Sequence, residues 1–354
     1  MQASEDEQAT IARRLLAWYD EHARALPWRA PPGSAPPDPY RVWLSEVMLQ
    51  QTTTAHAAPF FVRFLERWPT VQALAAAPPA ELMSAWAGLG YYSRARNLHA
   101  CAVEVTARGG FPATEAELRG LPGVGEYTAA AIAAIAFGHR AVVIDANVER
   151  VVARLFAIAE PLPAGRKPIR VRTEGITPPE RAGDFAQAMM DLGATICTPR
   201  EPRCPLCPLR ASCAGYACGT PQAFPVKAAK RAKPLRNGRA FWIERGGAVW
   251  LMRRPAKGML GAMRALPDDG WSAAGNGDGE APCPGEWILA GAVRHGFTHF
   301  DLDLQLMLFA GRDCANLGDG EWWPLAELDT AGLPTLFAKA ARLALAQRQS
   351  EPIA

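Results

Sequence analysis

Cys197, Cys204, Cys207 and Cys213 are separated by six, two and five residues in a proline-broken segment. Four thiolates crowded into one short loop can enclose a metal centre, which a disulfide pair would not require. Zinc and an iron–sulfur cluster both suit such a set. Structural zinc sites usually come as two close Cys-x2-Cys pairs. Here only Cys204 and Cys207 are close, so the spacing leans towards the cluster. Arg200, Arg203 and Arg210 would give this loop a positive face. Upstream, Leu121-Pro122-Gly123-Val124-Gly125 precedes an alanine-rich helical stretch beginning near Glu126. Glycines there let backbone N–H groups approach a phosphate oxygen, and the following helix adds its positive N-terminal end.

Two carboxylates could do acid–base work. Asp145 follows the apolar run Ala141-Val142-Val143-Ile144 and precedes a helix. A helix N-cap explains it, but so placed it could also stabilise positive charge on a sugar carbon as a glycosidic bond breaks. Glu46 lies among Trp43, Leu44, Val47 and Met48. A solvated surface glutamate is the plain reading; a carboxyl held among apolar neighbours keeps its proton and can act as a general acid near neutral pH. An acid on the leaving group and a carboxylate beside an oxocarbenium ion form the pairing used by glycosidases. Gln51 at the end of the Glu46 helix, and Tyr91-Tyr92 after Gly88-Leu89-Gly90, suit the filling of a gap left in a base stack.

These residues need a scaffold. At 354 residues, nearly half apolar, the chain can form two or three domains with cores of their own. No apolar run reaches the roughly 18 residues needed to span a bilayer, and the acidic start of the chain does not resemble a secretory signal. The formal charge of +3 neither demands nor excludes nucleic acid. Cys101, Cys218, Cys283 and Cys314 are scattered and read as core or surface thiols in a reducing cytoplasm. Residues 8 to about 215 read as helical: a first helix through Ile11, Leu15 and Leu16, a second opened by Asp38-Pro39, then 59–67, 70–77, 79–87, 92–107, 115–119, 126–137, 147–157 and 180–195. From 222 to 239, Lys227, Lys230, Arg231, Lys233, Arg236 and Arg239 appear without an acid, as in a basic linker that could contact phosphates. Beyond it, 241–245 and 248–252 flank Gly246-Gly247 as a β-hairpin, 286–293 and 300–308 read as strands, and 334–347 reads as a closing helix. The glycine- and proline-rich 270–286 reads as a loose loop.

Several segments resemble the MutY family of adenine DNA glycosylases, within the helix-hairpin-helix/endonuclease III superfamily. They are Leu26-Pro27-Trp28-Arg29, Trp43 to Thr52, Gly88 to Leu98, Leu121 to Gly125, Asp145-Ala146-Asn147-Val148 and Gln187 to Ala194. The resemblance is dense over 8–215 and thinner over 240–345. It implies a multidomain protein. An all-α glycosylase region over 1–221 would comprise a six-helix barrel and a cluster-bearing subdomain, with the helix-hairpin-helix at 115–137 and the cluster loop at 197–213. A linker at 222–239 and an α+β Nudix-like domain over 240–354 would complete the chain.

By the same resemblance the four cysteines hold a [4Fe-4S] cluster. Glu46 is the acid that protonates adenine, Asp145 the carboxylate beside the oxocarbenium ion, and Tyr127 their neighbour at the sugar. Gln51 and Tyr91 fill the stack; Trp28, Arg29 and Gln187 line the adenine pocket; Leu121, Gly123 and Gly125 grip the backbone. Bifunctional relatives carry a lysine where this chain has Tyr127, so base removal without strand nicking is implied. Asp145-Ala146-Asn147 departs from the commoner Asp-Gly-Asn, by one methyl group. No Arg-Glu-x-x-Glu-Glu sequence follows Leu266-Pro267, so the second domain would recognise rather than hydrolyse. There Phe297-Thr298-His299 resembles the Phe-Ser-His loop that contacts 8-oxoguanine. The implied activity is monofunctional excision of adenine, after base flipping, from A:8-oxoguanine or A:G mispairs in double-stranded DNA. The protein would be a monomer of the bacterial cytosol and nucleoid, with no membrane partner. The alternatives are another endonuclease III-like glycosylase, or a non-catalytic iron–sulfur DNA-binding protein.

Overall fold

The computed structural model describes residues 5–228, 232–255, 259–261, 263–311, 314 and 317–350. The chain divides into two compact units, Met1–Ala229 and Lys230–Ala354.

The first unit is helical: α1 (Glu5–His22), α2 (Pro39–Leu49), α3 (Thr54–Arg67), α4 (Val71–Ala75), α5 (Pro79–Ala85), α6 (Ser93–Ala107), α7 (Glu115–Leu118), α8 (Glu126–Phe137), α9 (Ala146–Leu155), α10 (Arg166–Ile176), α11 (Ala182–Thr195) and α12 (Ala214–Ala217). Helix α8 is apolar all round, with Thr128 to Ala136 buried, as expected of a helix enclosed by others. Helix α11 packs against both α8 and α9. A Cβ at Gly183 would fall 2.5 Å from the Ala134 carbonyl oxygen, and one at Gly193 would fall 2.6 Å from Asn147 Cβ. Small residues are therefore what allows α11 to approach the two helices that carry Tyr127 and Asp145. The start of α3 lies at Thr54, not 59, because the Thr53 hydroxyl caps it by accepting from the His56 N–H at 3.3 Å. Helix α10 is not foreseen by the sequence reading. Its buried residues, Ile169, Thr173 and Ile176, have helical spacing, but Arg166, Lys167, Arg170 and Arg172 between them hide the apolar stripe.

The second unit holds β1 (Leu235–Trp242), β2 (Glu244–Arg245), β3 (Ala248–Arg253), β4 (Arg264–Ala265), β5 (Trp287–Gly296), β6 (Asp301–Phe309), β7 (Gly320–Pro324) and α13 (Thr335–Ser350). One sheet has the order β1-β6-β5, with β1 parallel and β5 antiparallel to β6. In the other, β3 pairs antiparallel with β2, β4 and β7. Helix α13 packs on the first sheet over Leu336, Phe337, Ala340 and Ala344, all buried.

Three expectations are corrected here. Residues 235–239, read as linker, form the first half of β1; half-buried Arg236 and exposed Arg239, on opposite faces, disguise the strand. The 270–286 segment is tied down rather than loose. Trp271 is buried, the Gly277 N–H donates to the Asn237 carbonyl at 2.9 Å, and the Asp278 N–H donates to the Asp269 carbonyl at 3.0 Å. Cys283 and Cys314 are joined as a disulfide, Cα atoms 5.8 Å apart, because β5 and β6 return the chain to its starting point across a separation of 31 residues. Lys230 and Arg231 of the basic stretch lie outside the described residues.

Candidate active site

Helix α2 is capped by Asp38, whose carboxylate accepts from the Tyr40 N–H at 2.8 Å, with Pro39 pre-set for the first turn. The helix is buried from Val42 to Met48, so Glu46 is only 6% exposed. It lines a cleft of about 400 Å³ shared with Trp28, Arg29, Gln51, Tyr127, Asp145, Asn147 and Gln187. Removal from water pushes the Glu46 carboxyl up to about 7; its hydrogen bond with Tyr127 opposes this, the negative Asp145 adds to it, and Arg29 opposes it. Burial, then the neighbouring Glu46 and Asp145 carboxylates, hold the Tyr127 phenol well above its ordinary range, so it remains an O–H donor.

Asp145 caps α9. Its Oδ1 accepts from the Val148 N–H at 2.7 Å, and its Oδ2 accepts from Asn147 Nδ2 at 2.8 Å. The two donors fix the direction of the Asp145 carboxyl group at the cleft. Gln187, from α11, donates through Nε2 to the Gly183 carbonyl at 3.3 Å. Trp28 packs edge-on against Phe61 at 5.4 Å. The cleft therefore brings together Glu46, Tyr127, Asp145, Trp28, Arg29, Gln51 and Gln187. A buried acid that holds its proton near neutral pH, with a second, hydrogen-bonded carboxyl group on the same cleft, is the pairing that suits cleavage of a glycosidic bond.

Tyr91 is not in that lining. It is 60% exposed, with φ of 49°, and Gln51 has φ of 57°. Both non-glycine residues sit in the left-handed region, which costs roughly 1–2 kcal/mol each. A residue to which the sequence reading gave no role holds both. Buried Arg94 donates through Nη1 to the Val47, Met48 and Gln50 carbonyls (3.1, 3.0 and 2.6 Å) and through Nη2 to the Leu89 and Gly90 carbonyls (2.8 and 3.2 Å). One guanidinium thus satisfies the end of α2 and the turn before Tyr91 together.

The hairpin between α7 and α8 is anchored by buried Leu121 and Val124, with the Val124 N–H donating to the Leu121 carbonyl at 3.1 Å. Gly123 has φ of 73°, and a Cβ there would meet Asn97 Cβ at 2.7 Å. Gly125 caps α8 without a side chain, which leaves the first N–H groups of that helix to meet an anion.

Cys197, Cys204, Cys207 and Cys213 line one cavity with Arg154 and Arg210. Among the described residues, no group of three or more His, Cys, Asp or Glu is itself arranged to hold a metal ion. The loop hangs on α9. Arg150 Nε donates to the Cys197 carbonyl at 2.8 Å. Arg154, 2% exposed, donates to the Thr198 carbonyl at 2.7 Å, the Pro199 carbonyl at 2.9 Å and Cys197 Sγ at 3.4 Å. A buried cation beside thiolates suits an anionic thiolate-bound centre. Neither arginine was singled out from sequence. Arg200, Arg203 and Arg210 are exposed.

In the second unit, Phe297, Thr298 and His299 form the connection from β5 to β6, with Thr298 and His299 exposed. Phe297 stacks on Phe300 at 4.7 Å, and Lys233 Nζ donates to its carbonyl at 2.6 Å.

Comparison with known proteins fits this division. The HhH-GPD superfamily of base excision DNA repair proteins matches residues 44–171, and the NUDIX domain matches 239–343. The chain is 33% identical to the adenine DNA glycosylase of Homo sapiens, over 93% of this chain and 73% of the human one. This chain belongs to the adenine DNA glycosylase family. A second adenine DNA glycosylase, from Mycolicibacterium smegmatis, is 43% identical over 58% of this chain and 71% of its own length. Among solved structures, a thermostable thymine-DNA glycosylase aligns over 61% of this chain and all of its own, with TM-score 0.54 and 27% identity. An endonuclease III in a non-covalent DNA complex aligns over 62% of this chain and 99% of its own, with TM-score 0.51 and 24% identity, a likeness of fold. Among the described residues, no helix is long and apolar enough to cross a membrane.

Proposed function

We propose that this chain excises adenine mispaired with 8-oxoguanine or guanine from double-stranded DNA, by hydrolysis of the N-glycosidic bond. The observation that carries this reading is the placement of Glu46, Tyr127 and Asp145 on one cleft, with Glu46 held in its protonated form near neutral pH. Adenine leaves poorly as an anion. Glu46 donates its proton to a ring nitrogen of the extruded base, and the C1′–N bond then breaks with its electron pair going to the base. Asp145 faces the resulting oxocarbenium ion, and its two fixed hydrogen bonds keep it from turning away. Water adds at C1′ and gives up a proton, which restores the Glu46 acid, and the products are free adenine and an abasic site. Tyr127 has no amine with which to form an imine, so the reaction stops at base removal. Gln51 and Tyr91 fill the vacated stack, the 121–125 hairpin grips the phosphates, and Phe297, Thr298 and His299 read the 8-oxoguanine.

The four cysteines would hold a [4Fe-4S] cluster, which cross-links the 197–213 loop when bound. Iron analysis and absorbance near roughly 410 nm test it, and iron-free protein with four zinc-bound thiols would overturn it. In this reading the enzyme acts as a monomer on the DNA of a bacterial cytosol.

Single-turnover adenine release from a duplex bearing adenine opposite 8-oxoguanine tests the reaction. Glu46→Gln and Asp145→Asn are each expected to lose about 10²–10⁴ in rate while still binding the duplex. Full activity in either variant overturns the assignment of that residue.

A further inference from the structure

Two residues of the cleft lining, Arg24 and Arg29, belong to a charge cluster that the proposed mechanism does not use. Asp191, on α11, is fully buried. Its Oδ1 accepts from Arg24 Nε at 2.5 Å, and its Oδ2 accepts from the Arg24 backbone N–H at 3.0 Å and from Arg29 Nη1 at 2.6 Å. The Arg29 side chain is itself 7% exposed, while that of Arg24 reaches solvent at 29%. Arg29 therefore carries a desolvated cation whose anion is Asp191. It is also one of the three titratable groups facing Glu46, with Tyr127 from α8 and Asp145 at the start of α9; Arg24 lines the same cleft. Tyr19 of α1, buried behind the cluster, feels both arginines and Asp191, and its hydroxyl stays protonated, pushed up to about 12 mainly by burial.

We infer that Asp191 is a positioning residue: it neutralises Arg29 and holds that guanidinium off Glu46, so that Glu46 retains the proton it must donate. A buried cation requires a counter-charge. With Asp191 neutral, the carboxyls left in the cleft that Arg29 lines are Glu46 and Asp145. Pairing Arg29 with Glu46 would favour the carboxylate and remove the acid at neutral pH. Pairing it with Asp145 would draw away the anion meant for the sugar. The exposed end of Arg24 can turn to solvent, so the effect falls on Arg29. This inference rests on the assignment of Glu46 as the acid.

The experiment is single-turnover adenine release from an adenine:8-oxoguanine duplex by the full chain between pH 5 and 9. The wild type should show a rate that falls as Glu46 loses its proton, and Glu46→Gln should remove that limb. If the wild type has no such limb, the reading of Glu46 fails and this inference falls with it. With the limb present, Asp191→Asn should move it down by about one pH unit or more. The loss at pH 8 would then exceed the loss at pH 5.5 by about tenfold, with duplex affinity little changed. Adding Arg29→Gln to Asp191→Asn should return the limb to the wild-type pH or above. A uniform loss across the pH range, with the limb unmoved, would overturn the inference alone and leave Asp191 a structural residue. Should Asp191→Asn fail to fold, Arg29→Gln by itself is expected to raise the limb, since it removes the cation while Arg24 still partners Asp191. A limb that stays in place or falls would again overturn the inference.

Discussion

Glu46→Gln should make this protein more stable and nearly inactive at once. The buried carboxyl titrates at about 7 in the folded chain against 4.5 for an unperturbed glutamate. That difference of about 2.5 units corresponds to about 3 kcal/mol at 1.36 kcal/mol per unit. The sign follows from which state holds the proton. Below pH 4.5 the group is neutral in both states and costs nothing. Between 4.5 and 7 the unfolded chain ionises while the folded one keeps its proton, so stability falls as pH rises. Above 7 both are ionised and the full penalty of about 3 kcal/mol remains. Glutamine never ionises, has nearly the same shape, and can still hydrogen bond with Tyr127. Urea unfolding at pH 8 should therefore give a midpoint for Glu46→Gln raised by about 1 M, the gain shrinking to under about 1 kcal/mol at pH 5. A gain of equal size at both pH values, or a loss at pH 8, would refute the claim that desolvation of an ionisable group sets the chemistry of this helix.

Gly123→Ala places a methyl group against Asn97 Cβ at a backbone position with φ of 73°; fluorescence anisotropy on undamaged duplex should report binding weaker by about tenfold, with a shallower salt dependence. Unchanged affinity would remove the hairpin from the interface. Arg154→Met strands the Thr198 and Pro199 carbonyls and removes the guanidinium that donates to Cys197 Sγ. It should cost about 3 kcal/mol or more and lower the iron bound per chain, read by thermal unfolding and iron analysis. Tyr127→Lys puts a primary amine beside Glu46 and Asp145, and a borohydride-trapped covalent adduct with substrate DNA is the expected product. Absence of any adduct on gels would mean that position 127 does not reach the sugar.

The groups proposed to meet DNA or to hold a cluster were legible because their chemistry is local. Leu121 to Gly125 declares its own turn, Asp145 declares its own cap, and the four cysteines declare one another. What sequence could not reveal is the layer behind them. Arg94, Arg154 and Asp191 carry no local signal in the sequence, and their meaning comes from partners 47, 43 and 167 residues away in the chain. The same limit explains the fold errors. Helix α10 and strand β1 each present basic residues outward, so periodicity was masked by charge, and the Cys283–Cys314 pairing depends on a sheet register that spacing does not encode. Glu46 lies between these cases. Its apolar neighbours raised the possibility of a retained proton, but only the fold supplies the depth of burial and the Tyr127 partner.

Arg94 makes positions 51 and 91 dependent on a common keystone. The backbone on either side of a helix end and a turn, far apart in the chain, is moored to five carbonyls around one guanidinium. A substitution that relaxes one unusual dihedral will tug on the other through it. Libraries that randomise 51 and 91 one at a time would therefore misjudge both, and a variant tuned for a different lesion has to be sought by varying 51, 91 and 94 as a set.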